Sequence, residues 1–143
     1  MQTPFLFFYP AAAMIFYIFV LGISNFYVRV RGTKNGSIPP KYFKNLDSKT
    51  YPVPEFVTRM GRHYDHQFQL PLLFLIICLA YIALHIFHPV AWVAAWCFVG
   101  SRMLHTYVHL GSNHVLRRVL AFQAGWVCVN VLWVLIVVHL LSH

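Results

Sequence analysis

Four stretches of this chain are too apolar to sit in water, and they leave it few ways to fold. Pro4–Val28, Phe68–Phe87 and Val119–Leu141 contain no Lys, Arg, Asp or Glu, and Pro89–Ser101 opens a further run that continues to Leu110. A bilayer core about 30 Å thick needs about 20 apolar residues in a helix rising about 1.5 Å per residue. Each stretch meets that length. The pattern predicts an all-α integral membrane protein, a four-helix bundle forming one domain over residues 1–143, with spans at about 4–28, 56–87, 89–111 and 117–141. Composition closes the soluble alternative: 59% of the residues are apolar and 10% charged, against about 45–50% and about 25% in soluble domains. A soluble domain of this size leaves too much surface exposed to hide so many apolar side chains. The first stretch is too long for a signal peptide and has no basic residue ahead of it, so it reads as a retained span.

Charge sets an expected orientation. Eleven Lys and Arg stand against three acidic residues, a formal +8, and eight of the eleven fall between Arg29 and Arg62. The rest are Arg102, Arg117 and Arg118. A basic cluster can indicate nucleic acid, but this one lies between apolar stretches, where headgroup attraction and the positive-inside rule account for it. No nucleic-acid partner is expected. The first connection, from about Arg29 to Glu55, carries Gly32, Gly36, Pro39, Pro40, Pro52 and Pro54 and reads as loop. It and the third connection, with Arg117 and Arg118, are expected to be cytoplasmic, both termini lying outside, as in a bacterial inner membrane. His88 and Pro89 make a tight hairpin between the second and third segments. Cys78, Cys97 and Cys128 lie in apolar runs without a CxxC spacing and read as reduced thiols.

Several polar residues sit where a membrane should not tolerate them. Arg59, Arg62, Asp65, His66 and Gln69 recur at spacings of three or four, roughly one helical face. The plainest account is a helix end with snorkelling arginines and an Arg62–Asp65 surface pair. Arg102, His105 and His109 form a stripe at i, i+3 and i+7. If that helix exits near Gly111, Arg102 is about 13 Å deep, where facing lipid costs at least about 2.5–3.5 kcal/mol. It should face the bundle or a neighbouring subunit. Arg117 and Arg118 open the fourth segment, where cations oppose the helix dipole and a bound anion would relieve the misfit. One cationic, water-accessible pocket gathers these residues most simply. Gln123 and Asn130, and Ser24 and Asn25, read as hydrogen-bonding glue between helices.

The run Arg62-His63-Tyr64-Asp65-His66-Gln67-Phe68-Gln69-Leu70-Pro71, and Arg102-Met103-Leu104-His105-Thr106-Tyr107-Val108-His109-Leu110-Gly111 continuing to Arg117-Arg118, resemble the MAPEG family, membrane-associated proteins in eicosanoid and glutathione metabolism. The resemblance covers nearly the whole chain and looks closest to short bacterial members. It implies a homotrimer of four-helix subunits, with glutathione as co-substrate in a pocket between subunits, open to the cytoplasm. It gives Arg118 the catalytic role of stabilising the glutathione thiolate, and gives Arg29, Arg62, His66, Gln69, Arg102 and His109 glutathione-binding roles. His66 stands where the family motif has Asn, Gln69 where it has Glu, and His109 where it has Tyr. A neutral amide at Gln69 lacks the charge that would pair with the glutathione amino group.

Three functions follow as candidates. One is glutathione transfer to, or peroxide reduction on, a lipophilic substrate. The second is a non-catalytic module of the same fold that binds lipid or a partner protein. The third is a histidine metal or haem site, suggested by nine histidines and by the i, i+4 relation of His105 and His109. No cysteine or carboxylate completes a metal motif, so no metal ligand is assigned.

Overall fold

The computed structural model describes residues 3–46, 50–111 and 114–142. Among the described residues every regular element is helical. A single turn, Thr3–Phe7, leads into α1 (Phe8–Lys34), followed by the one-turn α2 (Tyr42–Asn45), α3 (Glu55–His66), α4 (Leu70–Ala83), α5 (Pro89–Leu110) and α6 (Val115–Leu141). Three stretches are long and apolar enough to cross a membrane: Thr3–Lys34, Glu55–Ala83 and Val115–Leu141. The fourth expected span, α5, has the length at 22 residues but falls short in apolarity. Arg102, His105 and His109 crowd its second half.

The expected second span is not one helix. Pro71 has no N–H and its ring collides with the carbonyl four residues back, that of Gln67. The chain responds by tightening. Gln67 N–H donates to the Tyr64 carbonyl at 3.0 Å, Phe68 to Asp65 at 3.2 Å and Gln69 to His66 at 3.3 Å, all i to i−3. Gln69 then leaves helical geometry at φ −100, ψ −95, and α4 starts with Pro71 in its first turn. That helix stops at Ala83 rather than near Phe87. His85 takes a left-handed φ of 53, with His85 N–H to Ile82 O at 3.2 Å and Ile86 N–H to Tyr81 O at 3.0 Å, the pattern of a Schellman motif. The first segment errs the other way. It stays helical to Lys34 instead of yielding to loop near Arg29, because Gly32 keeps a helical backbone and the chain first turns at Gly36, whose φ is 72. Arg31 and Lys34 in the last turn suit the negative end of the helix dipole.

The apolar core occupies the end of the molecule nearest the N-terminus. Phe7, Met14, Phe74, Cys78, Tyr81, Phe98 and Leu132 are fully buried there. Phe7 stacks on Tyr81 at 4.2 Å between centroids and Phe74 on Phe98 at 4.3 Å. Tyr81 donates its buried hydroxyl proton to the Leu132 carbonyl at 2.9 Å, so the phenol is satisfied without water. Large apolar side chains such as Phe16, Phe19, Ile23 and Phe26 of α1 and Leu116, Leu120 and Trp133 of α6 point outward, as lipid-facing surfaces do. A small second cluster, Ile38, Tyr42 and Val57, packs the first connection onto α3. The opposite end of the helices holds the polar residues.

Candidate functional site

At that polar end α3, α5 and α6 enclose a cavity of about 380 Å³. Helix α3 supplies Glu55, Arg59, Arg62 and His66, spaced by four, three and four so that they share one face. The turn forced by Pro71 adds Gln67. Helix α5 contributes its stripe of Arg102, His105 and His109, and α6 contributes Arg118, Val119, Phe122 and Gln123. Four guanidinium groups thus meet one carboxylate around a single space.

Arg102 is 4% exposed, as its depth requires, but its partners are not acidic. Its Nη2 donates to the carbonyls of Ala121 at 3.3 Å and Phe122 at 3.0 Å. The guanidinium carbon sits 5.3 Å from the ring centroids of both Phe98 and Phe122. Helix carbonyls and ring faces spread the charge without a counter-ion. Gly125 makes this approach possible, because a Cβ there would overlap Arg102 Nη2 and lie 2.7 Å from Ser101 Oγ. The Arg102 Nε is buried with no hydrogen-bond partner, and so is Oε1 of Gln67, a residue only 3% exposed. Arg59 Nε and His109 Nε2 are unpartnered as well, so four buried polar atoms on lining residues, Oε1 of Gln67 the acceptor among them, are left unmatched.

Three imidazoles group here, His105 and His109 on the cavity wall and His63 behind them. His63 lies 4.9 Å from His109 and 5.6 Å from His105, and His105 lies 5.8 Å from His109, centroid to centroid. Arginine has only donors, so Arg118 Nη1 donates to His109 Nδ1 at 3.4 Å. His105 Nδ1 donates to the Arg118 carbonyl at 3.2 Å. The pair therefore uses different tautomers. His63, 1% exposed, shares hydrogen bonds with Thr106 Oγ1 at 2.6 Å and Gln67 Nε2 at 3.2 Å. Thr106 shares a further one with the Tyr17 hydroxyl of α1. This polar chain ties α1, α3 and α5 together. The His105 ring lies 10° from that of His109 and 24° from that of His63, while His63 and His109 are tilted by 34°. Among the described residues no group of three His, Cys, Asp or Glu is disposed to hold a metal ion.

The residues read from sequence divide between sites. Arg62, His66, Arg102, His109 and Arg118 line the one cavity. Gln69 lies outside it and accepts from His66 Nδ1 at 3.3 Å. Arg29 does not line the cavity either: its Nη2 lies close to Gly61 of α3, along surface cavities of about 520 and 430 Å³; its guanidinium carbon is 6.0 Å from the Phe43 ring and its Nε is buried without a partner. The surface pair of α3 is Arg59–Glu55 at 2.9 Å rather than Arg62–Asp65. Gln123 lines the cavity, whereas Ser24 and Asn130 satisfy themselves on their own helices, at Val20 O and Trp126 O. Sequence reasoning passed over Glu55, His63 and Gln67. The signal was present in the spacing, since Arg59, His63 and Gln67 recur every four residues.

A sequence profile of the MAPEG family matches residues 7–138. The chain belongs to the MAPEG family. No curated protein matches it. Membership and the three membrane-capable stretches together make this MAPEG protein an integral membrane protein. The family is one of membrane-associated proteins in glutathione and eicosanoid metabolism, and the match spans every long helix that walls the cavity.

Proposed function

We propose that this MAPEG protein binds glutathione in the arginine-lined cavity and uses its thiolate on a lipophilic substrate drawn from the bilayer. The observation that carries the reading is the convergence of Arg59, Arg62, Arg102 and Arg118 on one space, whose lining residues leave four buried polar atoms unmatched, donors and an acceptor. Carboxylates satisfy guanidinium groups through charge-assisted, often bidentate hydrogen bonds, and a peptide supplies both an acceptor and a donor to the wall. A free thiol has a pKa near 8.5, and a neighbouring cation lowers it. Arg118 is the cation at the mouth of α6 that fills this role. The thiolate sulfur then attacks an electrophilic carbon and forms a C–S bond while the leaving group departs with its electron pair. With a hydroperoxide, the thiolate sulfur attacks the terminal oxygen, the O–O bond breaks and the alkoxide leaves and is protonated to the alcohol; a second glutathione then converts the resulting sulfenic acid to a disulfide and water.

Titration calorimetry of the detergent-solubilised protein with glutathione tests binding, and conjugation of a chlorodinitrobenzene-type electrophile tests chemistry. Heat without turnover would favour a non-catalytic lipid- or partner-binding role on the same fold. Neither heat nor turnover would end the reading. Arg62→Ala is expected to weaken glutathione about tenfold or more, since a charged hydrogen bond is worth about 1.5–3 kcal/mol. That loss should appear in KM rather than kcat, because the carboxylate it meets is present in ground and transition states alike.

A homotrimer is part of the proposal. Arg29 does not line its own subunit's cavity, and a neighbouring subunit is the arrangement that lets it contribute. The proposed setting is a bacterial inner membrane with the arginine-rich end cytoplasmic and both termini outside, following the positive-inside rule. Cysteines placed at Lys41 or Lys44 should react only with membrane-permeant thiol reagents. Labelling from the outer side by an impermeant reagent would reverse the orientation.

A further inference from the structure

Two of the three acidic residues, Glu55 and Asp65, are among the described residues, and of these Glu55 lines the cavity while Asp65 does not. Glu55 stands at the first position of α3, eleven residues from His66, so the α3 wall runs about 16 Å at about 1.5 Å per residue. A carboxylate repels the anionic groups that the four arginines attract, so its place on this wall asks for a different ligand group. Gln69, the position implied by resemblance to hold an amino group, lies outside the cavity against His66. The Glu55 side chain is 74% exposed and bonded to Arg59 Nη2 at 2.9 Å, while Arg59 Nε is buried with no partner. An exposed pair of this i, i+4 kind is weak and opens readily to accept two more charges.

We propose that the Glu55–Arg59 pair is a receptor for a zwitterionic α-amino-acid end of the ligand. Its ammonium group meets the Glu55 carboxylate, and the adjoining carboxylate meets the Arg59 guanidinium. The four charges then alternate in sign, and each ion keeps an opposite neighbour. The site selects peptides and amino-acid conjugates with a free α-ammonium group over plain di- or tricarboxylates. Glu55 is a specificity-determining residue, and the carboxylate missing from position 69 is replaced one helix length away. This inference rests on glutathione being the ligand of the cavity.

Calorimetry of the intact protein with glutathione and with its deaminated analogue, in which hydrogen replaces the ammonium group, tests it. The native protein should bind the analogue about tenfold more weakly. Glu55→Gln should weaken glutathione by a similar factor, leave the analogue unchanged and so erase the preference. Glu55→Asp keeps the charge and should recover part of it. Asp65→Asn, which removes a carboxylate outside the cavity, should alter neither affinity. Equal loss for both ligands in Glu55→Gln, or no loss for either, would overturn the assignment of Glu55 while native binding of glutathione stands. Failure of the native protein to bind glutathione would overturn the reading beneath it.

Discussion

Arg118→Ala is expected to lower kcat for glutathione conjugation by about a hundredfold, with KM for glutathione changed by about twofold at most. Removing one preorganised group that stabilises developing or resident negative charge costs about 10²–10³ in kcat, and a loss confined to kcat marks an interaction needed at the charged sulfur rather than for holding the tripeptide. The structure gives Arg118 the right company. Its Nη1 reaches His109 Nδ1 at 3.4 Å, and its carbonyl accepts from His105 at 3.2 Å, so the start of α6 is tied to the α5 stripe. Arg118→Lys should keep part of the rate, because a cation remains without the planar fork. Steady-state kinetics in detergent, with the pH profile of kcat, provides the measurement. A rise in KM with kcat intact would move Arg118 from the sulfur to a carboxylate.

Gly125→Ala is expected to destabilise the protein markedly. The new Cβ would lie well inside contact distance of Arg102 Nη2 and 2.9 Å from Arg102 Cζ. Overpacking a tight site costs about 1–3 kcal/mol, and displacing the guanidinium forfeits charged hydrogen bonds of about 1.5–3 kcal/mol each. Gly100 on α5 is the control, since a Cβ there meets nothing within 4 Å, and Ala in place of Gly favours a helix by about 0.8–1 kcal/mol. Thermal unfolding in one detergent should lower the Tm for the first variant and hold or raise it for the second. Gly125→Ala should also weaken glutathione, because Arg102 lines the cavity. Equal Tm values for the two variants would mean that Arg102 does not need the space.

The helical class and the polar end were legible in the sequence because both are written in strict periodicity. Long charge-free runs fix helices, and spacings of three, four and seven place Arg62, His66, Arg102, His109 and Arg118 on facing stripes. What escaped depends on geometry that periodicity averages out. Pro71 was in plain view, yet its effect is felt at Gln67, and the resulting turn brings Gln67 into the cavity while carrying Gln69 out of it. A motif matched by spacing assumes an unbroken helix through both. His63 was hidden because a buried imidazole next to an arginine has no signature without its partners, Thr106 and Gln67. Arg29 could be placed on a helix end but not on a side, since its role depends on what packs against α1 in an assembly. The Glu55–Arg59 pair went unremarked because an i, i+4 pair on a helix start usually reports nothing beyond solvation.

The carbonyl partners of Arg102 lie 19 and 20 residues further along the chain, on α6. That separation bears on how the protein is made. A ribosome releases α5 first, and at that moment its arginine has neither Ala121 nor Phe122 to lean on. An arginine entering lipid alone meets a penalty of at least about 2.5–3.5 kcal/mol, and α5 lacks the apolarity of the other long stretches to offset it. The following apolar helix removes both difficulties, for it brings the acceptors and its own drive to insert. The energetics of that one side chain therefore favour insertion of α5 together with α6, as a hairpin, over insertion of α5 alone.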